Sequence, residues 1–454
     1  MRGENMNLNI SVKELAKIIE AKIILNRKNE KIKSFVTDSR KIKHGEIFWA
    51  LKGKNFDGND FIEETIKKEA SGIISSRILN ISFPDTLSFY LYTENTLESL
   101  FKLARWHLKR FNIKKVSITG SNGKTTTKEM IKDILSSHKP TVYNPGNLNN
   151  EYGLPICVLE SQKKHKFAVF EIGSSARGEV RKLASIINPD IAVITIISPE
   201  HLEFFKTMKN IFETETEVID QMNKNGRIII NGDNKYLKKL KKFKNTISFG
   251  FKPDNDLIIS IDKEGAIFKY KNRNHRIKLK NNIKHNYLNA AAGFITGKIL
   301  KIPETKIINS LEIFEGVPLR MQIIKRKNSE IILDAYNANP QSMECAIEEI
   351  SKKKNFAMIL GDMKELGKYS KKYHIIIARK ILNKNPDYLF LIGQEMKYAY
   401  DFLKNKLKNV KYYGDTQDAL LEVKKFIKDN DDLNILIKAS RSMKFEEFLD
   451  LKKH

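Results

Sequence analysis

The rhythm of apolar and polar positions changes twice along the chain. Up to about residue 110, short apolar runs ("EIFWAL", "SGIISS", "LSFYLY") stand between turns, and "NTLESLFKLARWHLKRF" then places apolar residues at helical spacing. From about 113 to 317, strand-like and helix-like segments alternate. "KKVSI", "KFAVFEI", "DIAVITII" and "GRIIIN" are buried-type runs closed by Gly, Asp or Ser, while "KEMIKDILSS" has apolar residues three and four apart. This alternation predicts a mainly parallel sheet wrapped by helices. From about 318 it starts afresh with "EIILDAY", "FAMILGD", "DYLFLIG", "VKYYGD" and "LNILIKAS", each before a helical stretch. A second, smaller doubly wound domain is expected there, with ligands at the carboxyl ends of its strands. The expected fold class is α/β in three domains, 1–112, 113–317 and 318–454, without tandem repeats or long linkers.

Between "KKVSI" and the next helix lies "TGSNGKTTT", residues 119–127. Gly120 and Gly123 let the backbone turn tightly, so that N–H groups around Ser121 and Asn122 can face phosphate oxygens. Lys124 adds a positive charge, and Thr125 or Thr126 offers a hydroxyl to a magnesium ion. The helix that follows presents its N-terminus to the same anion. The loop is shorter than a full Walker A motif, because Ile118 stands five positions before Gly123. Its context strengthens it. "FAVFEIG" ends a strand on Glu171, and "SPEHLEFF" puts His201 just after the next strand. Singly, Glu171 could be a helix cap or a surface acid, and His201 a satisfied loop histidine. Together, at consecutive strand ends, they favour a magnesium–nucleotide site.

Composition narrows the setting. A chain of 454 residues with 41% hydrophobic content supports several domains with sizeable cores. No apolar run approaches the roughly 20 residues of a membrane helix, and the N-terminus lacks the apolar centre of a secretory signal. Cys157 and Cys345 are too few for a disulfide framework or a cysteine-rich metal site, so a cytoplasmic protein with reduced thiols is expected. The formal charge of +27 could mean nucleic acid, but the lysines are scattered among Asn and Ile without a basic arm or aromatic-interleaved motif. A coding bias on solvated faces, or anionic small substrates, accounts for the excess equally well. No nucleic-acid partner and no membrane insertion are expected, and a monomer is the default.

"TGSNGKTTTKEM", "NPGNLNNEYGLP", "EIG", "HLE" and "HNYLNAAA", in that order, resemble the Mur ligases of bacterial cell-wall synthesis. "DAYNANP" at 334–340, "GDMKELG" at 361–367 with His374 downstream, and "DSRKIKHGEIFWALKGKNFDGNDFI" resemble one member in particular. That member adds D-alanyl-D-alanine to UDP-N-acetylmuramoyl-tripeptide. The resemblance covers nearly the whole chain. It implies an N-terminal domain for the UDP end, a central ATPase, and a Rossmann-like C-terminal domain. It also implies transfer of the ATP γ-phosphate to the substrate carboxylate, then attack of the dipeptide amine on the acyl phosphate.

By the same resemblance, Lys124 serves the β- and γ-phosphates, Thr125 and Glu171 a first magnesium, and His201 a second. Arg320 in "PLRMQ" reaches the phosphates from the C-terminal hinge, Asn286 and Asn289 meet adenine, and Asp334 meets the ribose or the arginine. Asn337 and Asn339 position the dipeptide, with Lys438, Ser440 and Arg441 at its carboxylate. Ser39 and Arg40 contact UDP, and Asn147, Asn149 and Asn150 shape the muramoyl-peptide site. Asn-rich loops also serve as plain turns, and Ser39–Arg40 as a surface turn. Related ligases, another Mur enzyme or a folylpolyglutamate synthase, are the nearest alternative. A basic nucleic-acid-stimulated ATPase is the alternative from another class.

Four positions depart from the family pattern. Where a carbamylated lysine usually follows "HLE", Glu215 stands, and it is expected to supply the negative charge at the second magnesium without carbon dioxide. Its stem is shorter by roughly 4 Å, so a bridging water, or Glu213 or Glu217, is the variant of this expectation. The plainer reading is a solvated acidic helix face. Asn59 replaces a histidine, and Leu319 and Ala439 replace glycines, so both glycine-derived loops are expected to differ in shape.

Overall fold

A computed structural model describes residues 6–53 and 56–449. The chain forms three α/β units, each built on its own sheet. In the first, the apolar runs Ile47–Trp49, Gly72–Ser75 and Phe89–Tyr92 join Lys22–Asn26 in a four-stranded sheet. Trp49 is fully buried, and its indole N–H donates to Thr96 O at 3.0 Å. That bond ties the sheet to the helix Thr96–Lys109, which Asn95 caps by accepting from the N–H groups of Leu97 and Glu98.

The central sheet has nine strands. Thr141–Tyr143, Phe167–Glu171, Lys114–Thr119, Ile191–Ile194, Arg227–Asn231, Thr246–Gly250 and Leu257–Asp262 run parallel in that spatial order. Gly265–Tyr270 and Arg273–Ile277 extend it as antiparallel hairpins. The four strands read from apolar runs lie side by side in its middle. Helices Lys124–Ser136 and Lys284–Ile299 pack together on one face, where a Cβ on Gly297 would come within 2.8 Å of Ile307. In the third unit, Glu330–Asp334, Asn434–Lys438, Phe356–Gly361, Tyr388–Ile392 and Val410–Tyr413 are parallel, and Gln322–Lys325 adds an antiparallel edge.

Among the described residues no helix is long and apolar enough to cross a membrane. The carboxyl ends of the central strands and of Glu330–Asp334 and Asn434–Lys438 face one shared cavity of about 690 Å³.

Candidate active site

The phosphate loop leaves strand Lys114–Thr119 and enters helix Lys124–Ser136 through two left-handed glycines, Gly120 at φ +120° and Gly123 at φ +80°. A Cβ on Gly123 would sit 2.7 Å from Asn289 Oδ1, so neither its dihedral nor its surroundings tolerate a side chain. Thr195 braces the loop from below by donating to Asn122 O at 2.6 Å. Ser121 donates to Ser198 O and accepts from Ser198 N–H.

Lys124 folds back to donate to Gly120 O, with Glu200 Oε2 4.0 Å away. Burial disfavours its ammonium, but Glu200, Glu215 and Glu171 outweigh this and raise its pKa. Glu200, 4% exposed, is pushed up to about 7 by burial, against the pull of Lys124. Glu171 is 2% exposed at its strand's end. Its Oε1 accepts from Asn149 Nδ2 at 2.7 Å, and its backbone N–H donates to Asn144 Oδ1. His201 follows the next strand at φ +47°, with Nδ1 2.6 Å from Glu365 Oε2 and Nε2 4.0 Å from Glu200. Burial lowers its pKa, but Glu365 and Glu200 raise it further, so the net shift is upward.

These groups fit magnesium. Glu171 Oε2 and Glu200 Oε1 are buried hard donors with no hydrogen-bond partner among the described residues. Among those residues no group of three or more His, Cys, Asp or Glu converges as a complete cage. That suits an ion held by one or two carboxylates plus substrate phosphates.

Arg320 arrives from the third unit with its guanidinium 4.0 Å over the Tyr336 ring, and its Nε is buried without a partner. Leu319 beside it sits at φ +61° and Met321 at φ +46°, so this turn takes the left-handed shape without glycine. Ala439 is buried outside the left-handed region. Asp334 lines the cavity, but its partners are Met321 N–H at 3.1 Å and Lys438 Nζ at 2.5 Å rather than Arg320. Thr126 also lines the cavity, and Thr125 is buried next to it. Asn286, Asn289, Asn149, Asn150 and Asn337 line it too.

Other expected residues lie elsewhere. Lys438 reaches the cavity wall, but Asp334 and Asn337 O occupy its ammonium, so it is an internal ion pair rather than a free anion hook. Ser440 donates to Asp362 O and accepts from Lys364 N–H, and the exposed Arg441 pairs with Glu446. Neither lines the cavity. Asn147 is exposed outside it. Asn339 caps helix Pro340–Ile350 and exchanges amide hydrogen bonds with Asn122. Ser39 is buried and Arg40 pairs with Asp38, away from the cavity, which reaches the first unit at Gly53 and Phe56. Asn59 is buried and satisfied by Asp57 and Ser76.

Glu215, 1% exposed, accepts from Gly120 N–H and Thr119 Oγ1 on one oxygen and from Ser174 Oγ on the other. It is no solvated face, but its carboxylate serves the phosphate loop first. Glu213 pairs with Arg177, and Glu217 accepts from Gly178 and Arg181 N–H groups, so neither replaces it. Sequence reasoning missed Glu200, which adjoins His201 in "SPEHLE", as well as Asn144, Thr195 and Glu365. Each lies inside a stretch quoted above (Glu200 in "SPEHLEFF", Asn144 in "NPGNLNNEYGLP", Thr195 in "DIAVITII", Glu365 in "GDMKELG"), so the motif was the signal and the residue's own part in it was not read.

Family models match in three stretches: "Mur ligase family, catalytic domain" at 31–101, "Mur ligase middle domain" at 118–297, and "Mur ligase, glutamate ligase domain" at 319–441. The UDP-N-acetylmuramoyl-tripeptide–D-alanyl-D-alanine ligase of Bacillus subtilis is 32% identical over 450 residues, covering 97% of each chain. That of Rickettsia prowazekii is 32% identical over 437 residues, covering 91% of this chain and 93% of its own. MurF from Acinetobacter baumannii superposes with a TM-score of 0.86 at 26% identity, covering 97% of this chain and 98% of its own. MurF ligase from Thermotoga maritima in complex with ADP gives 0.80 at 30% identity, covering 92% and 96%. With likeness running along almost the full length of both sequence and fold, the chain belongs to the Mur ligase family.

Proposed function

We propose that this ligase adds D-alanyl-D-alanine to UDP-N-acetylmuramoyl-tripeptide, forming ADP and phosphate, in cytoplasmic peptidoglycan precursor synthesis. The domains divide the work as 1–112 for the UDP end, 113–317 for ATP and 318–454 for the dipeptide. What supports this reading most is Lys124, set among buried carboxylates in a cavity that Arg320 enters from the other domain.

A carboxylate repels a triphosphate, so cations must neutralise both before oxygen can approach phosphorus in line. Lys124 and Arg320 do so from two sides of the cavity. Glu171, with Thr125 or Thr126, and His201 with Glu200, are the residues to hold magnesium. Magnesium bound there would neutralise charge on the phosphates and the carboxylate. Glu215 holds the Gly120 N–H and the Thr119 hydroxyl in place and adds the negative charge that carbamylated lysine provides in the family. Asn286 and Asn289 offer amides to adenine, and Asn337 faces the dipeptide.

The test is phosphate release from ATP and UDP-N-acetylmuramoyl-tripeptide with magnesium, with and without D-alanyl-D-alanine. Release should require the dipeptide, with the joined pentapeptide seen by mass. Release indifferent to the dipeptide but raised by another amino acid or by DNA would overturn the substrate assignment.

A further inference from the structure

The turn that carries His201 is held in an unfavourable shape. His201 at φ +47° opens the single-turn helix Leu202–Phe205, and Lys206 at φ +66° closes it. Each left-handed non-glycine residue is strained and persists only where its surroundings impose it. Here the surroundings come from the C-terminal domain. Glu203 N–H donates to Glu365 O at 2.9 Å, and Tyr369 Oη donates to Lys206 O at 3.3 Å. Gly367 packs so closely that a Cβ would lie 3.2 Å from Glu203 Cα. These contacts dock the loop on the C-terminal domain without the Glu365 side chain. The side chain of Glu365, itself at φ +63°, does something docking does not need: it places Oε2 at ion-pair distance, 2.6 Å, from the buried His201 Nδ1, which makes no hydrogen bond among the described residues.

We propose that Glu365, delivered by the C-terminal domain, is the positioning residue of His201. A carboxylate beside Nδ1 draws the imidazole proton to that nitrogen by its charge and leaves Nε2 facing Glu200 and the cavity, as carboxylate–histidine pairs do behind metals. The imidazole is then correctly set only while the two domains are docked. This rests on the proposed role of His201 toward magnesium.

The experiment titrates Mn2+ into the full chain with a non-hydrolysable ATP analogue, following free Mn2+ by EPR, for the parent, Glu365→Ala, Glu365→Gln and His201→Ala. Glu365→Ala should raise the half-saturating Mn2+ of the weaker class about ten-fold and lower kcat with the KM for ATP unchanged. Glu365→Gln, which keeps the shape and a carbonyl dipole beside Nδ1 but removes the charge, should fall between it and the parent, and thermal melts check that both variants fold. If His201→Ala weakens Mn2+ binding and Glu365→Ala does not, Glu365 only docks the loop and the proposal fails. If His201→Ala also leaves binding unchanged, the metal role of His201 itself fails, and Glu365 has nothing to position.

Discussion

Burial disfavours the Lys124 ammonium, and Glu200, Glu215 and Glu171 around it outweigh that and keep it charged. Replacing it with methionine keeps the volume and removes the one cation facing these acids from within the loop. Lys124→Met should lower kcat by about 10² to 10³, measured as phosphate release, while ADP binding by calorimetry survives through the loop's N–H groups. Glu215 makes a second residue-scale claim. Activity in carbon-dioxide-free buffer should be normal, and strict bicarbonate dependence would sink the proposal that Glu215 stands in for a carbamate. Glu215→Ala should destabilise the chain by about 1–3 kcal/mol, read from denaturant unfolding, because it strands the buried Gly120 N–H. Gly120, Gly123, Lys124, Glu171 and His201 were legible because their chemistry sits at motif spacing on predicted strand ends. Glu200 was not, since an acid in a loop looks solvent-facing until its burial is known. Lys438 was read as an open charge because nothing in "KASRS" reveals that Asp334 already occupies it.

At the scale of elements, continuous apolar runs gave away the parallel strands, whose faces are both covered. The hairpin strands Leu257–Asp262 and Arg273–Ile277 escaped notice because each is about half exposed and carries Asp or Arg among its apolar positions, and Gly265–Tyr270 because Gly265 and Lys269 interrupt a short, mostly buried run. Helix Thr96–Lys109 was read from its periodicity, but not what its last turn does. His107 is fully buried there, and its Nε2–H donates to Ser161 O in the central domain at 2.8 Å. Burial lowers its pKa below the usual 6.5. As pH falls below 6.5 the unfolded chain takes up a proton that folded His107 refuses, so its contribution to stability is present above 6.5 and lost on acidification. His107→Gln, which can still donate to Ser161 O, should flatten the fall in Tm between pH 7.5 and 5.5 relative to the parent. An unchanged slope would remove His107 from the acid response.

The whole molecule depends on a junction that no stretch of sequence displays, because its partners lie far apart in the chain. Asn122 of the phosphate loop and Asn339 of the C-terminal domain exchange amide hydrogen bonds at 2.8 and 3.2 Å, and Asn122 also donates to Gln341 Oε1 at 3.2 Å. Asn122 of the phosphate loop thus grips the helix whose N-terminus lies next to Asn337, on the side of the cavity proposed for the dipeptide. If this pair carries the coupling, removing either member should cost about 1 kcal/mol, and removing the second should cost little more. Asn339 also caps its helix, so alanine would mix two losses. Asn339→Ser keeps a capping oxygen but is too short to reach Asn122. The cycle therefore uses Asn122→Ala, Asn339→Ser and the double variant, read as kcat/KM for D-alanyl-D-alanine at saturating ATP. Each single change should reduce it about five-fold, and the double should resemble the singles. Strictly multiplicative effects would mean that the two amides act separately, leaving Arg320 and the Glu203–Glu365 and Tyr369–Lys206 contacts to hold the domains together.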